Sequence, residues 1–194
     1  VLGSGHAPVL LLAARAVDEK DGQRIYDMVR WFEDEAERAG VDMRGTNPTA
    51  DNMAGGLTTL EEKSLGAIAK GGTRPVVEIV DYADPPTKKG LVIMNTPSAA
   101  SESMTGLVGG GAQIVIFSTG RGNAIGAPVA PTVKVSGNPN TIKTMADNID
   151  VDVSGIITDG ESLDTAADRL WAEIVKIAHG KVTRCEVLRE DQLS

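Results

Sequence analysis

A run of polar residues between Gly45 and Gly72 could bind hydroxyl or carboxylate groups and move protons. It holds two amides, a carboxylate, an amine and a hydroxyl: Asn47, Asn52, Glu61, Lys63 and Ser64. The amides can hydrogen-bond hydroxyl groups, and Lys63 is a candidate general base or carboxylate-binding group if it faces inward. The run also has a purely structural interpretation, because Thr58-Thr59-Leu60-Glu61 matches a capping box, with Thr58 as N-cap and Glu61 reaching back to it. The residues alone leave both interpretations open.

A second candidate segment is Ser118-Thr119-Gly120-Arg121-Gly122-Asn123, which directly follows an apolar run. Glycines on both sides of Arg121 would let the backbone curl around a bound group, with Thr119 beside it. The arginine fork can hold a carboxylate through two parallel hydrogen bonds. A flexible loop with a solvated arginine is the alternative, but the position after a strand favours binding. The glycine spacing matches neither GxGxxG nor a loop ending in GK[ST], so we infer no nucleotide site.

A third segment, Asn95-Thr96-Pro97-Ser98, follows another apolar run, and Thr105 comes later in the next predicted helix. Thr96 and Thr105 could hydrogen-bond a polyol or a carboxylate. The structural alternative is a turn with Ser98 as the N-cap of the helix.

Few residues are suited to hold a metal ion. The chain has one cysteine and two histidines, which makes a self-contained zinc site improbable. His6 could be a metal ligand, a catalytic acid or a surface residue, whereas His179 suits the end of a helix. Asp150 and Asp152 could bind a hard cation, but we interpret them as strand-entry residues.

The elements that position these segments alternate along the chain. Short apolar runs predict strands over residues 76–80, 91–94, 113–117, 132–135 and 151–157. Helical patterns cover residues 10–39, with a break near Gly22, and residues 58–70, 101–108, 140–148 and 163–178. We therefore predict an α/β fold: a mainly parallel sheet of about five short strands with helices on both faces. An N-terminal helical extension, residues 1–44, would precede an α/β domain at 45–194.

Composition limits the classes of partner. The 194 residues carry a formal net charge of −8 with a pI of about 4.8, and phosphate backbones repel such a surface, so we expect no nucleic-acid partner. The longest apolar stretch, residues 8–14, is too short to span a membrane. A single cysteine fits a reducing cytosol, so we expect a cytoplasmic protein.

Several motifs occur in an order that resembles a known family. They are GGLTTLEEKSLGAIAKGG, GLVIMNTP, the Thr-Gly of SMTG, FSTGRGN and PTVKVSGNP. This series is similar to the C-terminal part of the altronate/galactarate dehydratase family, which includes the large subunit of sulfolactate sulfo-lyase. The resemblance covers most of the chain, from about Gly3 to about Thr183.

The resemblance implies a lyase that removes water, or sulfite, from a sugar acid or 2-hydroxy acid by β-elimination. It implies a divalent metal, Fe²⁺ first and Mn²⁺ or Mg²⁺ as alternatives, with ligands mostly outside this chain. It also implies a missing N-terminal part, including a small SAF-type β domain, fused or as a separate subunit. We therefore expect a C-terminal domain or fragment that is inactive alone, and a homo-oligomeric enzyme.

Site residues follow from the resemblance one by one. Asn47 and Asn52 match the family's Asn-Pro-x-x-x-Asn loop, and its Glu-Lys-Ser run adds Glu61, Lys63 and Ser64. Lys63 and Glu61 are then the catalytic candidates, and the substrate-binding candidates are Arg121, Asn47, Asn52, Ser64, Thr96, Thr105, Thr119, Gly120 and Gly122. The chain departs from the family at three positions: Asn95 replaces Asp, Ser118 replaces Thr, and Ala127 stands where several relatives have Cys.

Three functions remain open at this point. The chain could belong to a sugar-acid dehydratase, to a sulfolactate sulfo-lyase, which IDVDVSG slightly favours, or to a scaffold or binding module without chemistry of its own. Product analysis separates the first two, because only the second releases sulfite.

Overall fold

The computed structural model describes residues 7–42, 48–54, 56–97 and 99–190. The chain divides into two compact units, Val1–Asn95 and Thr96–Ser194. The predicted boundary between residues 44 and 45 remains a prediction. Asn47, Ser98 and His6 lie outside the described residues.

The first unit contains four helices and two strands within its described residues. The helices are α1 (Ala7–Ala13), α2 (Glu19–Arg38), α3 (Ala50–Ala54) and α4 (Leu60–Lys70), and the strands are β1 (Val76–Val80) and β2 (Leu91–Met94). The two strands pair in parallel. Ile25 of α2 packs against Val76 and Ile79 of β1, and all three are buried. This aliphatic contact fixes the amphipathic helix α2 against the small sheet.

The predicted helix break near Gly22 is wrong, because the break lies at residues 14–18 and Gly22 is inside α2. Asp18 caps α2 by accepting a hydrogen bond from the Lys20 N–H at 2.8 Å. A Cβ on Gly22 would lie 3.0 Å from the Ala13 carbonyl oxygen. The glycine therefore permits close approach of α2 to α1 rather than ending a helix.

The crossover from β1 to β2 has no helix, which is unusual for parallel strands. Glu78 organises it by accepting hydrogen bonds from the Thr87 N–H at 2.9 Å, the Thr87 hydroxyl at 2.6 Å and the Lys88 N–H at 2.9 Å. The hydrogen bonds from the Thr87 side chain and the Lys88 backbone lower the pKa of Glu78. One carboxylate thus organises a loop at a place where parallel strands are usually connected by a helix.

The second unit contains a three-stranded parallel sheet in the order β3-β4-β5. Its elements are α5 (Ala100–Gly109), β3 (Val115–Ser118), β4 (Thr132–Ser136), α6 (Pro139–Thr144), a 3₁₀ turn (Ala146–Asn148), β5 (Val151–Asp152), α7 (Gly155–Thr158), α8 (Leu163–Ala178) and α9 (Arg184–Leu188). The predicted α/β class is confirmed, with all pairings of named strands parallel. The five strands form two sheets.

The last predicted strand, 151–157, is wrong beyond its second residue. β5 ends at Asp152, and α7 begins three residues later. The Asp152 carboxylate accepts a hydrogen bond from the Ser154 N–H at 2.7 Å. This local bond turns the chain out of the sheet, because hydrogen bonds from the backbone to short polar side chains compete with the hydrogen bonds of a sheet. The predicted helix at 140–148 is likewise divided into α6 and the 3₁₀ turn.

The middle strand β4 is buried along its whole length. Val133 and Val135 pack with Val151 and Ile177 in one hydrophobic cluster. Because side chains alternate along a strand, Thr132, Lys134 and Ser136 lie on the opposite face. That face is polar and still buried, so each of its groups needs a partner.

Among the described residues, no helix combines the length and the apolar character needed to cross a lipid bilayer.

Candidate functional site

The predicted site residues lie in both units, and each unit is described separately. In the first unit, two of the candidates lie together: the Lys63 Nζ donates to Asn52 Oδ1 at 2.8 Å. Asn52 is held in turn, because its Oδ1 accepts from the Thr49 N–H at 3.2 Å and its own N–H donates to Thr49 Oγ1 at 3.3 Å. We call Thr49, Asn52 and Lys63 the lysine cluster. It orients one ammonium group with a neutral amide.

The helix cap beside this cluster differs from the prediction by one residue. The N-cap of α4 is Thr59, whose hydroxyl oxygen accepts from the Glu62 N–H at 3.1 Å. The Glu62 carboxylate accepts from the Thr58 N–H at 2.9 Å and the Thr58 hydroxyl at 2.7 Å. These bonds lower the pKa of Glu62, the Thr58 backbone contributing most. Capping is therefore the role of Glu62 and not of Glu61, the predicted partner.

Glu61 and Ser64 are half-buried on α4. They flank Lys63 in sequence, and the three residues occupy the first turns of the helix. Their roles in catalysis and in substrate binding remain predictions.

In the second unit, residues 119–126 follow β3, and we call them the arginine loop. Its first half is fixed by four hydrogen bonds. The Thr119 N–H donates to the Val135 carbonyl at 3.0 Å, and the Gly122 N–H donates to Thr119 Oγ1 at 3.0 Å. The Gly120 carbonyl accepts from Asn138 Nδ2 at 2.6 Å and from the Thr141 hydroxyl at 2.7 Å. Thr119, Gly120 and Gly122 thus shape the loop, and their predicted contacts with substrate remain untested.

Gly122 is required by the geometry of this turn. Its φ is +88°, and an added Cβ would lie 2.0 Å from Met145 Sδ. Any side chain would therefore meet backbone strain, and the Met145 side chain would have to move to make room for it. Arg121, immediately before it, is exposed at the carboxyl end of β3, where ligands bind in parallel α/β sheets.

The second half of the loop is held by residues that the site prediction omitted. The buried Lys134 donates from Nζ to the Ala124 carbonyl at 2.7 Å, and the Gly126 N–H donates to the Glu190 carbonyl at 3.0 Å. A lysine within a run of β-branched residues, in PTVKVSG, was the available sequence signal.

Thr96 and Thr105 are placed by α5 and the segment before it. The Thr96 and Ser103 hydroxyl oxygens lie 3.2 Å apart, and the Thr105 hydroxyl donates to the Ser101 carbonyl at 2.8 Å. Thr105 also lines a mainly apolar cleft of about 260 Å³ with Met104, Ala127 and Val129. The N-cap of α5 is Ala99, which makes no side-chain capping bond, and Ser98, the cap considered from the sequence, lies outside the described residues.

The described residues contain no group of three or more His, Cys, Asp or Glu side chains that could hold a metal ion. His179 is the C-cap of α8, with its Nδ1 2.7 Å from the Val175 carbonyl oxygen. The Asp150 carboxylate accepts from the Lys134 N–H and the Arg184 N–H, each at 2.7 Å. The expected structural roles of His179, at the end of a helix, and of Asp150, beside the start of β5, are confirmed.

The sequence is similar to several known proteins. The family model described as D-galactarate/altronate dehydratase, C-terminal, matches residues 7–194. The chain is 39% identical over 180 residues to a (2R)-sulfolactate sulfo-lyase subunit beta from Chromohalobacter salexigens, covering 92% of this chain and 46% of that protein. It is 32% identical over 171 residues to the galactarate dehydratase (L-threo-forming) of Escherichia coli, covering 88% of this chain and 32% of that protein.

It is also 36% identical over 137 residues to the altronate dehydratase of Escherichia coli, covering 71% of this chain and 27% of that protein. The chain thus spans less than half the length of each of these relatives. The predicted resemblance is confirmed: the chain belongs to the galactarate/altronate dehydratase family, as its C-terminal domain.

Proposed function

We propose that this chain is the C-terminal part of a hydro-lyase that dehydrates a sugar acid of the altronate or galactarate type. The family match over residues 7–194 carries this proposal, and two of the dehydratases that it resembles support the substrate class. The reaction removes the proton on the carbon next to the carboxylate and the hydroxyl on the following carbon. Water leaves, and the resulting enol becomes a 2-keto-3-deoxy acid.

Arg121 is the proposed carboxylate-binding residue. It is exposed in a loop whose backbone is bound on both sides, so its Cα position is set before substrate arrives. A bidentate guanidinium–carboxylate pair would then fix the substrate relative to the reacting groups. The Thr119 hydroxyl, two residues before Arg121, accepts from the Gly122 N–H and can still donate its proton to a substrate oxygen.

Lys63 and Glu61 are the proposed proton-transfer groups. The Lys63 Nζ is oriented by Asn52 Oδ1 at 2.8 Å. General acid–base catalysis requires an amine or carboxyl group that is positioned in this way. Asn52 and Ser64 would supply further hydrogen bonds to substrate hydroxyls.

The proposed cofactor is a divalent cation, Fe²⁺ first and Mn²⁺ or Mg²⁺ as alternatives. Such an ion would neutralise the charge that develops when a proton is removed next to a carboxylate. The described residues of this chain do not form a site for it. We therefore propose ligands mostly outside this chain and derive no step through the ion. The proposed partners are the N-terminal part or a SAF-domain subunit, within a cytoplasmic homo-oligomer.

A second candidate is the large subunit of a sulfolactate sulfo-lyase. The 39% identity to the sulfo-lyase subunit extends over 92% of this chain, more of it than the match to either dehydratase of Escherichia coli covers. Sulfite is a good leaving group that does not need the proton a departing hydroxyl requires. The two candidates therefore differ in their need for a general acid.

The test uses the full-length protein, loaded anaerobically with Fe²⁺ and offered altronate, galactarate and sulfolactate separately. Formation of 2-keto acid without sulfite from a sugar acid is the expected result. Sulfite release would replace the dehydratase by the sulfo-lyase. Binding of the acids without turnover, with metal present, would contradict both and leave a scaffold or binding module.

A further inference from the structure

The polar face of β4 contains a fully buried lysine that the proposed reaction does not use. The Lys134 side chain is 0% exposed. Its neighbours in the strand, Val133 and Val135, belong to the hydrophobic cluster on the other face. A charged group in such a position is costly unless it is paired, and an apolar side chain of similar length is often as stable or more so. The lysine therefore calls for an explanation other than packing.

Lys134 connects β4 to the arginine loop and to Glu190, which follows α9. Its Nζ donates to the Ala124 carbonyl at 2.7 Å and lies 3.6 Å from Glu190 Oε2. Glu190 is held from the other side by Asn148 Nδ2, at 2.9 Å and 2.8 Å from its two carboxylate oxygens. One ammonium group thus binds the second half of the loop, and a bound carboxylate balances its charge.

Two further contacts confine the same stretch of backbone. The Gly126 N–H donates to the Glu190 carbonyl at 3.0 Å, and a Cβ on Gly126 would lie 2.1 Å from Cys185 Sγ. The Ala127 N–H donates to the buried Thr132 hydroxyl oxygen at 3.0 Å. The residues that follow Arg121 in the loop therefore pack against β4 and α9, and Lys134 provides one of these contacts.

We propose that Lys134 is a positioning residue: by holding the Ala124 carbonyl, it fixes the arginine loop and so sets where the Arg121 side chain begins. Its Nζ is buried, so it does not touch substrate. The link from loop order to turnover rests on the proposed function, whereas the link from Lys134 to loop order does not.

Limited trypsin digestion of the full-length protein tests the structural link without substrate. Trypsin cuts after Arg121, and an exposed residue of α6 in the same unit, Lys143, is an internal reference. Lys134→Met removes the donor and keeps the length of the side chain. Local loosening raises cleavage at Arg121 by about 10-fold relative to cleavage at Lys143, whereas global unfolding raises both together.

The matched control is Val133→Ala, which disturbs the same strand from its other face. It lowers stability through a cavity in the hydrophobic cluster, so cleavage at Arg121 and Lys143 rises in parallel. If Lys134→Met behaves in the same way, or changes cleavage at neither residue, the proposal is overturned.

Glu190→Gln provides a second variant in case Lys134→Met does not fold. It removes the charge that balances the buried Lys134 ammonium, so the ammonium is held less firmly against the Ala124 carbonyl although the donor is still present. We expect the same selective rise at Arg121, smaller than in Lys134→Met. A parallel rise at both residues would contradict the proposal here as well.

Kinetics test the functional link on whichever acid the wild type turns over. Lys134→Met should lower kcat/KM by at least about 10-fold, because a small misplacement of a binding group has effects of that size, while Val133→Ala stays within about twofold. Normal kcat/KM beside selective cleavage at Arg121 would overturn the functional link alone. A wild type inactive on all three acids would count against the proposed function, and the digestion would still decide the role of Lys134.

Discussion

At the scale of single residues, Arg121 is the side chain on which the proposed chemistry depends most. Lysine keeps the charge but cannot form the two-pronged pair with a carboxylate. A hydrogen bond to a charged group contributes about 1.5–3 kcal/mol, which corresponds to roughly 10- to 100-fold in rate. We predict that Arg121→Lys lowers kcat/KM of the full-length enzyme by this factor.

The control for this prediction is Arg184→Lys, an exposed position in the same unit. It should retain wild-type kinetics. Arg121→Lys with near-normal kcat/KM would remove Arg121 from the site.

Gly122 gives a prediction about shape rather than charge. Gly122→Ala forces a Cβ into a residue with φ of +88° and against Met145 Sδ, so we expect a loss of about 1–3 kcal/mol in the free energy of unfolding. The companion variant Gly122→Ala/Met145→Ala relieves the clash but not the strain. The free energy of unfolding of this double variant is compared with that of Met145→Ala alone. The difference between them measures the backbone strain at residue 122, because both variants lack the Met145 side chain.

Gly120→Ala is the matched stability control, because no atom lies within 4 Å of its added Cβ. Denaturant unfolding should place it within about 0.5 kcal/mol of wild type. Equal losses at Gly120 and Gly122 would mean that the turn is not as rigid as its hydrogen bonds indicate.

Residue types and spacing predicted part of the candidate site. Asn52 and Lys63, two candidates from one loop-to-helix segment, are joined by a hydrogen bond, and their contacts with substrate remain predictions. The cap was misplaced because Thr58-Thr59 and Glu61-Glu62 offer two registers that differ by one residue. The anchoring role of Lys134 needs the contact with Ala124, which the sequence spacing does not reveal.

At the scale of elements, strongly patterned segments were predicted well. β1, β2 and α8 have the predicted bounds, because a long helical periodicity, or a short run dominated by aliphatic residues, leaves little choice. β5 and α6 are shorter than predicted, since local side-chain bonds decide where such elements end. The division into two sheets depends on tertiary pairing, which no local pattern encodes.

The helix α8 contributes a prediction about pH. Glu173 is buried on it, between Lys181 and Lys176, and the hydrogen bond from Lys181, followed by that from Lys176, lowers the pKa of Glu173. Because the pKa of Glu173 is lower in the folded state than in the unfolded state, its ionised carboxylate stabilises the fold at pH values above the ordinary pKa of a glutamate. This contribution is lost as the pH falls through the lowered pKa. Glu173→Gln should therefore reduce the free energy of unfolding at neutral pH.

Urea titrations from about pH 7 to about pH 3 measure this effect, and the gap between Glu173→Gln and wild type should narrow on the acid side. Asp168→Asn, an exposed change on the same helix, should show a small gap with little pH dependence. If the difference in free energy of unfolding between Glu173→Gln and wild type did not change with pH, the variant would be destabilised through packing and not through the loss of the charge.

At the scale of the whole molecule, the family follows from the order of the motifs, but the ligands of the proposed cation do not. We predict that chelation lowers the activity of the full-length enzyme by at least about 10-fold. Anaerobic Fe²⁺ should restore it more fully than Mn²⁺ or Mg²⁺. Full activity after exhaustive chelation, with metal content checked by elemental analysis, would remove the cation from the proposal.

The anchoring of the arginine loop by α9 has a consequence for the order of events during synthesis. Ala124 and Cys185, which meet at this anchor, are 61 residues apart in sequence. At about 5–20 residues per second, the ribosome takes several seconds to make that interval. β3 and β4 can pair during this time, whereas the loop between them can form its contacts with α9 only after α9 has been made. A nascent chain arrested before α9 should therefore have a formed strand pair beside an unfinished loop.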